Sequence, residues 1–118
     1  AIAALHADAP SVEETDWIQI VEWYDELLGL TDTPVVRLNR AVVVCEADGA
    51  PSGLTALAEV AEGVPRRSAV AAYLHECNGA LPTAAELYAE AARQGTSVPE
   101  RQHLTRQAAR VNQLLRGR

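Results

Sequence analysis

The sequence predicts an all-α fold of serial antiparallel helical hairpins, about six helices following a first helical remnant. Three observations carry that expectation. The stretch Thr33–Gly49 (TPVVRLNRAVVVCEADG) has a Thr N-cap, Pro in the first helical position and Gly just past its end, the punctuation of a helix. The same cap-and-stop grammar recurs along the chain, and nothing alternates with period two. The hydrophobic content of 48% is reached without Phe or Met, with five aromatic residues and abundant Ala. Small side chains suit helices that approach closely rather than a thick sheet core.

In chain order, Ala1–Ala7 reads as the last turns of a helix already under way, which implies a fragment whose remaining chain lies upstream. The whole of 1–118 is then a single helical domain. Ser11-x-x-Glu14 has the form of a capping box and Thr15–Asp16 offers a second cap, so the next helix begins within 12–16 and runs to about Leu30. Trp17, Ile20, Val21, Tyr24, Leu27 and Leu28 recur at spacings of three and four, with Glu22, Asp25 and Glu26 opposite. The turn at 31–34 is short and makes the following helix an antiparallel neighbour.

That helix, 34–47, is apolar on most of its circumference. Leu38, Ala41, Val42, Cys45 and Val35 share one face, Val36 and Val43 form a second strip, and Arg37 and Arg40 take the far side. Asn39 falls between the strips, which predicts a partly buried, hydrogen-bonded side chain with a structural role. Asp48–Gly53 reads as a turn cluster, followed by a short helix over 54–62 with Leu54, Leu57, Ala58 and Ala61 inward. A helix over 66–77 with Val70, Tyr73, Leu74 and Cys77 on one side ends at Asn78–Gly79. Pro82 and the box Thr83-x-x-Glu86 start the next, with Leu87, Tyr88, Ala91 and Ala92 inward. Ser97-x-x-Glu100 with Pro99 opens the last, with Leu104, Ala108, Val111 and Leu115 inward and Arg106, Arg110 and Gln113 outward. The expected core thus centres on Trp17, Tyr24, Leu38, Asn39, Val42 and Tyr88.

These helices fall into three hairpins, 14–30 with 34–47, 53–62 with 66–78, and 83–94 with 98–115, the architecture of helical repeats such as the tetratricopeptide (TPR) repeat. Ala84, Tyr88 and Ala91 have the small–aromatic–small spacing of a second repeat helix.

Charge is unevenly divided. Residues 1–62 carry 12 acidic and 2 basic side chains, whereas 63–118 carry 4 acidic and 8 basic, all of the bases being Arg. The net charge of −6 is too acidic for a nucleic-acid-binding module in its own right. The Arg-rich end, with Arg101, Arg106 and Arg110 foremost, is the expected contact surface, together with Arg37 and Arg40 on the central helix.

Chemistry-bearing motifs are sparse. His75-x-Cys77 on a helix points its two ligands about 200° apart, and no second pair stands at structural-zinc spacing. Cys45 and Cys77 both fall on apolar faces and read as free buried thiols, with a disulfide between them left open. No phosphate-binding loop, dinucleotide fingerprint or nucleophile elbow occurs, so the reading is a non-enzyme with neither cofactor nor metal. No apolar run reaches the length of a bilayer span and no signal peptide is evident, which together with the free thiols places the expectation in the cytoplasm, without a membrane partner.

Three strings taken together resemble a known family: AIAALHADAPSVEETDWIQIVEWYDELL, TDTPVVRLNRAVVVCEADGAPSGL and AAELYAEAARQGTSVPERQHL. They are similar to the C-terminal TPR-like extension of bacterial RNA polymerase sigma factors of the extracytoplasmic-function class. The most specific part is Asp16–Trp17…Tyr24…Pro34–Val35…Leu38–Asn39–Arg40–Ala41–Val42. The stretch 60–81 departs from the pattern, being shorter than the family's hairpin. The resemblance implies that the sigma regions, which bind polymerase and promoter DNA, lie upstream and are absent. It also implies that this domain regulates sigma activity by packing on those regions of the same polypeptide, with homodimerisation left open. A generic TPR-like adapter holding a peptide or small effector is the second reading.

Overall fold

A computed structural model describes residues 16–117, and among them every regular element is an α-helix. They are α1 (Trp17–Leu30), α2 (Pro34–Asp48), α3 (Ala50–Leu57), α4 (Arg67–Cys77), α5 (Leu81–Gln94) and α6 (Val98–Arg116). The expected remnant at 1–7 and the Ser11–Glu14 box lie outside the described residues.

Local chemistry sets most boundaries. The Asp16 carboxylate accepts from the Gln19 amide at 3.0 Å and Thr33 Oγ1 from the Val36 amide at 3.3 Å, each satisfying a donor that the first helical turn leaves orphaned. Ser97 Oγ accepts from the Glu100 amide at 3.2 Å, while Glu100 reaches back to the Thr96 amide at 3.3 Å. This is a capping box displaced by one residue. Helix α4 ends at Cys77 and is closed by Gly79, whose φ of +80° suits a residue without Cβ; the Ala80 amide donates to His75 O and Gly79 to Glu76 O, a Schellman closure.

Helix α2 is central, as its pattern predicts, with Leu38, Ala41, Val43, Val44 and Cys45 buried. Two positions differ. Val35 is 64% exposed because it sits in the first turn, ahead of the contact with the neighbouring helices. Asn39 is exposed and carries no burial cost. Its direction lies between the two apolar strips, but α1, α3 and α4 cover α2 on other sides. Of the expected core, Leu38 and Tyr88 are buried, and Trp17, Tyr24 and Val42 are half-buried.

The middle of the chain corrects the expectation most. Helix α3 starts at Ala50, four residues earlier than predicted, and ends at Leu57; Ala50, Gly53 and Leu57 are inward, while Ala58 and Ala61 are exposed. Gly49 (φ +99°) closes α2 and opens α3, and Pro51 in the first turn starts a helix rather than merely breaking one. Arg67, the first residue of α4, donates Nε to Val60 O at 2.9 Å and Nη2 to Leu57 O at 3.4 Å, closing the carbonyl end of α3. Thr83 is no N-cap, since α5 already begins at Leu81 behind Ala80. Cys77 is exposed rather than core, being the final residue of α4.

Each helix packs on the next, and α2 also touches α4. Two apolar clusters result. One joins Leu38, Ala41 and Cys45 of α2 to Leu57, Val60, Ala71 and Leu74; the other joins Ala72 of α4 to α5 and α6 through Tyr88, Leu104 and Val111. Helix α4 therefore serves both clusters, with Ala71 and Leu74 turned to one and Ala72 to the other.

Candidate functional site

A groove runs beside α4, with α6 as its other wall and α5 as its floor, enclosing a cavity of about 590 Å³. Arg66, Tyr73, Glu76, Tyr88, His103 and Arg110 bring its polar atoms. A second cavity of about 670 Å³ shares Arg66 and Glu100 with the first and continues along α4 toward the 62–68 turn. Arg66 stands between the two at φ +73°, the only left-handed residue other than glycine among those described.

The groove has one organised polar centre. A single oxygen of Glu76, Oε1, accepts from Tyr88 Oη at 2.9 Å and from Arg110 Nη2 at 2.7 Å, tying α4, α5 and α6 together. Arg110 Nε also donates to Gln107 Oε1 at 2.9 Å. Alongside, the Tyr73 hydroxyl donates to Glu46 and links α4 to α2. The Arg110 guanidinium holds the Glu76 carboxyl below its ordinary range, the Tyr88 hydrogen bond adding to it against partial burial. Burial and then Glu76 push the Tyr88 phenol up; for Tyr73 the bond to Glu46 comes first and burial second. Cys45 is pushed up to about 11 by burial and by the neighbouring Cys77 thiol. A carboxylate held low is a weak base, and a thiol held high stays protonated at neutral pH.

Glu76 gives a pH prediction. Its folded-state pKa lies below the unfolded value, so its contribution to stability is present above the ordinary carboxylate range and lost as pH falls through the lowered folded value. Glu76→Gln should cost about 1 kcal/mol at neutral pH and give a shallower stability loss below about pH 5, followed by helical circular dichroism under urea. An acid profile parallel to that of the parent chain would refute the role.

The five arginines singled out by sequence do not form one surface. Arg37 pairs with Asp32 (Nε to Oδ1, 2.7 Å) and with Glu59 at 3.3 Å, and Arg40 pairs with Asp25 at 2.7 Å. These two clasp α2 to α1, to the turn that follows it and to the residues after α3. Arg101 donates Nη1 to Gly95 O at 3.2 Å, closing the end of α5. Arg110 turns into the groove, while Arg106 is exposed and has no ion pair among the described residues. Sequence reasoning gave Tyr73 as an inward position of its helix but assigned no partner to it, to Glu76 or to Glu46. Their partners lie 12 to 34 residues away, so no local spacing announces them.

Among the described residues no group of three or more His, Cys, Asp or Glu converges, and no helix is long and apolar enough to cross a membrane. No family model and no solved structure matches the chain. A stretch of 81 residues, 69% of this chain, is 41% identical to an uncharacterised protein of Rhizobium meliloti (strain 1021), and it makes up 18% of that protein. The chain thus spans less than a fifth of the curated relative it matches.

Proposed function

We propose that this chain is a TPR-like regulatory domain of an extracytoplasmic-function sigma factor, acting by protein contact and not by catalysis. The observation that carries the reading is the serial packing of short capped helices, each on the next, which leaves a continuous groove along α4 and α6. Helical repeats present their binding surfaces in this way. The residue string that carries the family resemblance, Asp16 to Val42, occupies the α1–α2 hairpin, clasped across by Arg40 and Asp25. A segment aligning with so small a share of a longer relative also suits a domain that works on other parts of its own polypeptide. Its contacts then shift the sigma regions between free and engaged states by differential binding. In this reading the partners are the sigma regions and, through them, RNA polymerase, in the cytoplasm.

Deleting 16–117 from the full-length protein and assaying transcription from its target promoter tests this reading. A several-fold change in transcription is expected; unchanged transcription with unchanged polymerase binding would sink the regulatory claim. A TPR-like adapter for an external peptide or small effector is the second reading, favoured by Tyr73, Arg66 and His103 in the groove. That reading requires an isolated domain that is stabilised by an added ligand in a thermal-shift screen.

A further inference from the structure

Among the described residues, helices α1 and α6 are the two ends of the stack: α1 packs on α2, and α6 on α5. Each keeps one row of side chains toward solvent. On α1 the row is Ile18, Glu22, Glu26 and Leu30, with Ile18 64% and Leu30 85% exposed. On α6 the row Leu114, Arg110, Arg106 and Gln102 has the same four-residue step, with Leu114 48% exposed. Laid antiparallel, the two rows would set Glu26 against Arg106, and Glu22 against Arg110, whose guanidinium already holds Glu76. Glu22, Glu26 and Arg106 have no ion pair among the described residues. The wider charge division runs the same way, since residues 1–62 are strongly acidic and 63–118 basic.

We propose that a second copy of this chain covers these faces. Helix α1 of one copy lies antiparallel along α6 of the next, with Glu26 against Arg106 and Ile18 against Leu114, and Glu22 beside an Arg110 that keeps its bond to Glu76. The contact joins two different surfaces, so it is head-to-tail and propagates beyond a pair unless the rotation closes a ring. A single helix–helix contact is small, which makes the association weak, concentration-dependent and sensitive to salt. The inference stands independently of the sigma-factor reading.

Sedimentation of the 118-residue chain over a concentration series at low and high salt tests it, with two charge reversals at exposed positions. Glu26→Arg alone and Arg106→Glu alone should each weaken association by about tenfold or more. An equimolar mixture of the two variants should regain it, because each junction between unlike copies again sets a base against an acid. Circular dichroism confirms that both variants keep the helical fold. Monomers at every concentration and salt would overturn the proposal, as would association that survives either reversal or a mixture no better than its components.

Discussion

Leu74→Ala is expected to cost about 3 kcal/mol and to lower the stability of both halves of the molecule together. Leu74 is fully buried on α4, packed in the cluster with Leu38, Ala41 and Leu57. Truncation removes transfer free energy and leaves a cavity that the surrounding close-packed helices close only in part. A domain of this size has a total stability on the order of 5–15 kcal/mol, so the loss is a large share of it. It should also spread. Ala72, two residues away on the opposite side of the same helix, belongs to the other cluster, so a loosened α4 releases α5 as well. Urea unfolding followed by fluorescence of Trp17 and Trp23 in α1, and by circular dichroism of all the helices, should give coincident midpoints in parent and variant. A loss under about 1 kcal/mol, or a circular dichroism signal that outlasts the fluorescence, would show that α4 does not join the halves.

Gly53→Ala is expected to destabilise by about 2 kcal/mol, the reverse of what the same change does in an ordinary helix interior. Replacing Gly in a helix normally gains up to about 1 kcal/mol by restricting the unfolded chain. At Gly53 a Cβ would stand 2.8 Å from Cys45 Cβ and 3.0 Å from the Ala41 carbonyl oxygen. Neither obstacle is the far end of a flexible side chain, so α3 must move away from α2. Gly29 supplies the control. It lies inside α1 with nothing within 4 Å of the position its Cβ would take, so Gly29→Ala should stabilise by about 0.5 kcal/mol. Thermal unfolding of the two variants reads the contrast. Equal shifts, or a stabilised Gly53→Ala, would mean that α2 and α3 have slack between them.

How much was legible in the sequence follows from the range of the interactions. Caps are local, so Asp16, Thr33, Ser97 and Gly79 announce helix ends correctly through side chains or backbone bonds spanning a few residues. Period-3.6 patterning placed Ile20, Leu38, Tyr88, Leu104 and Val111 inside for the same reason. Position around a helix says less about which directions neighbours fill, and that is where Asn39 and Val35 came out exposed. The start of α3 was hidden because Gly49, Pro51 and Gly53 look like breakers, whereas Pro51 starts the helix and Gly53 permits its close contact with α2. The groove chemistry was the least legible part. Glu76 finds Arg110 across 34 residues, and only the fold sets them side by side.

The abundance of alanine has a geometric consequence. Ala41, Ala72 and Ala84 are all fully buried at places where helices meet. The spacing between helices, and hence the width and bend of the groove, is set by these methyl groups rather than by the side chains that line it. An exchange of Ala for Ser or Gly at such a contact reshapes the recognition surface from behind. A lineage of such domains can therefore change what it holds while every lining residue stays the same.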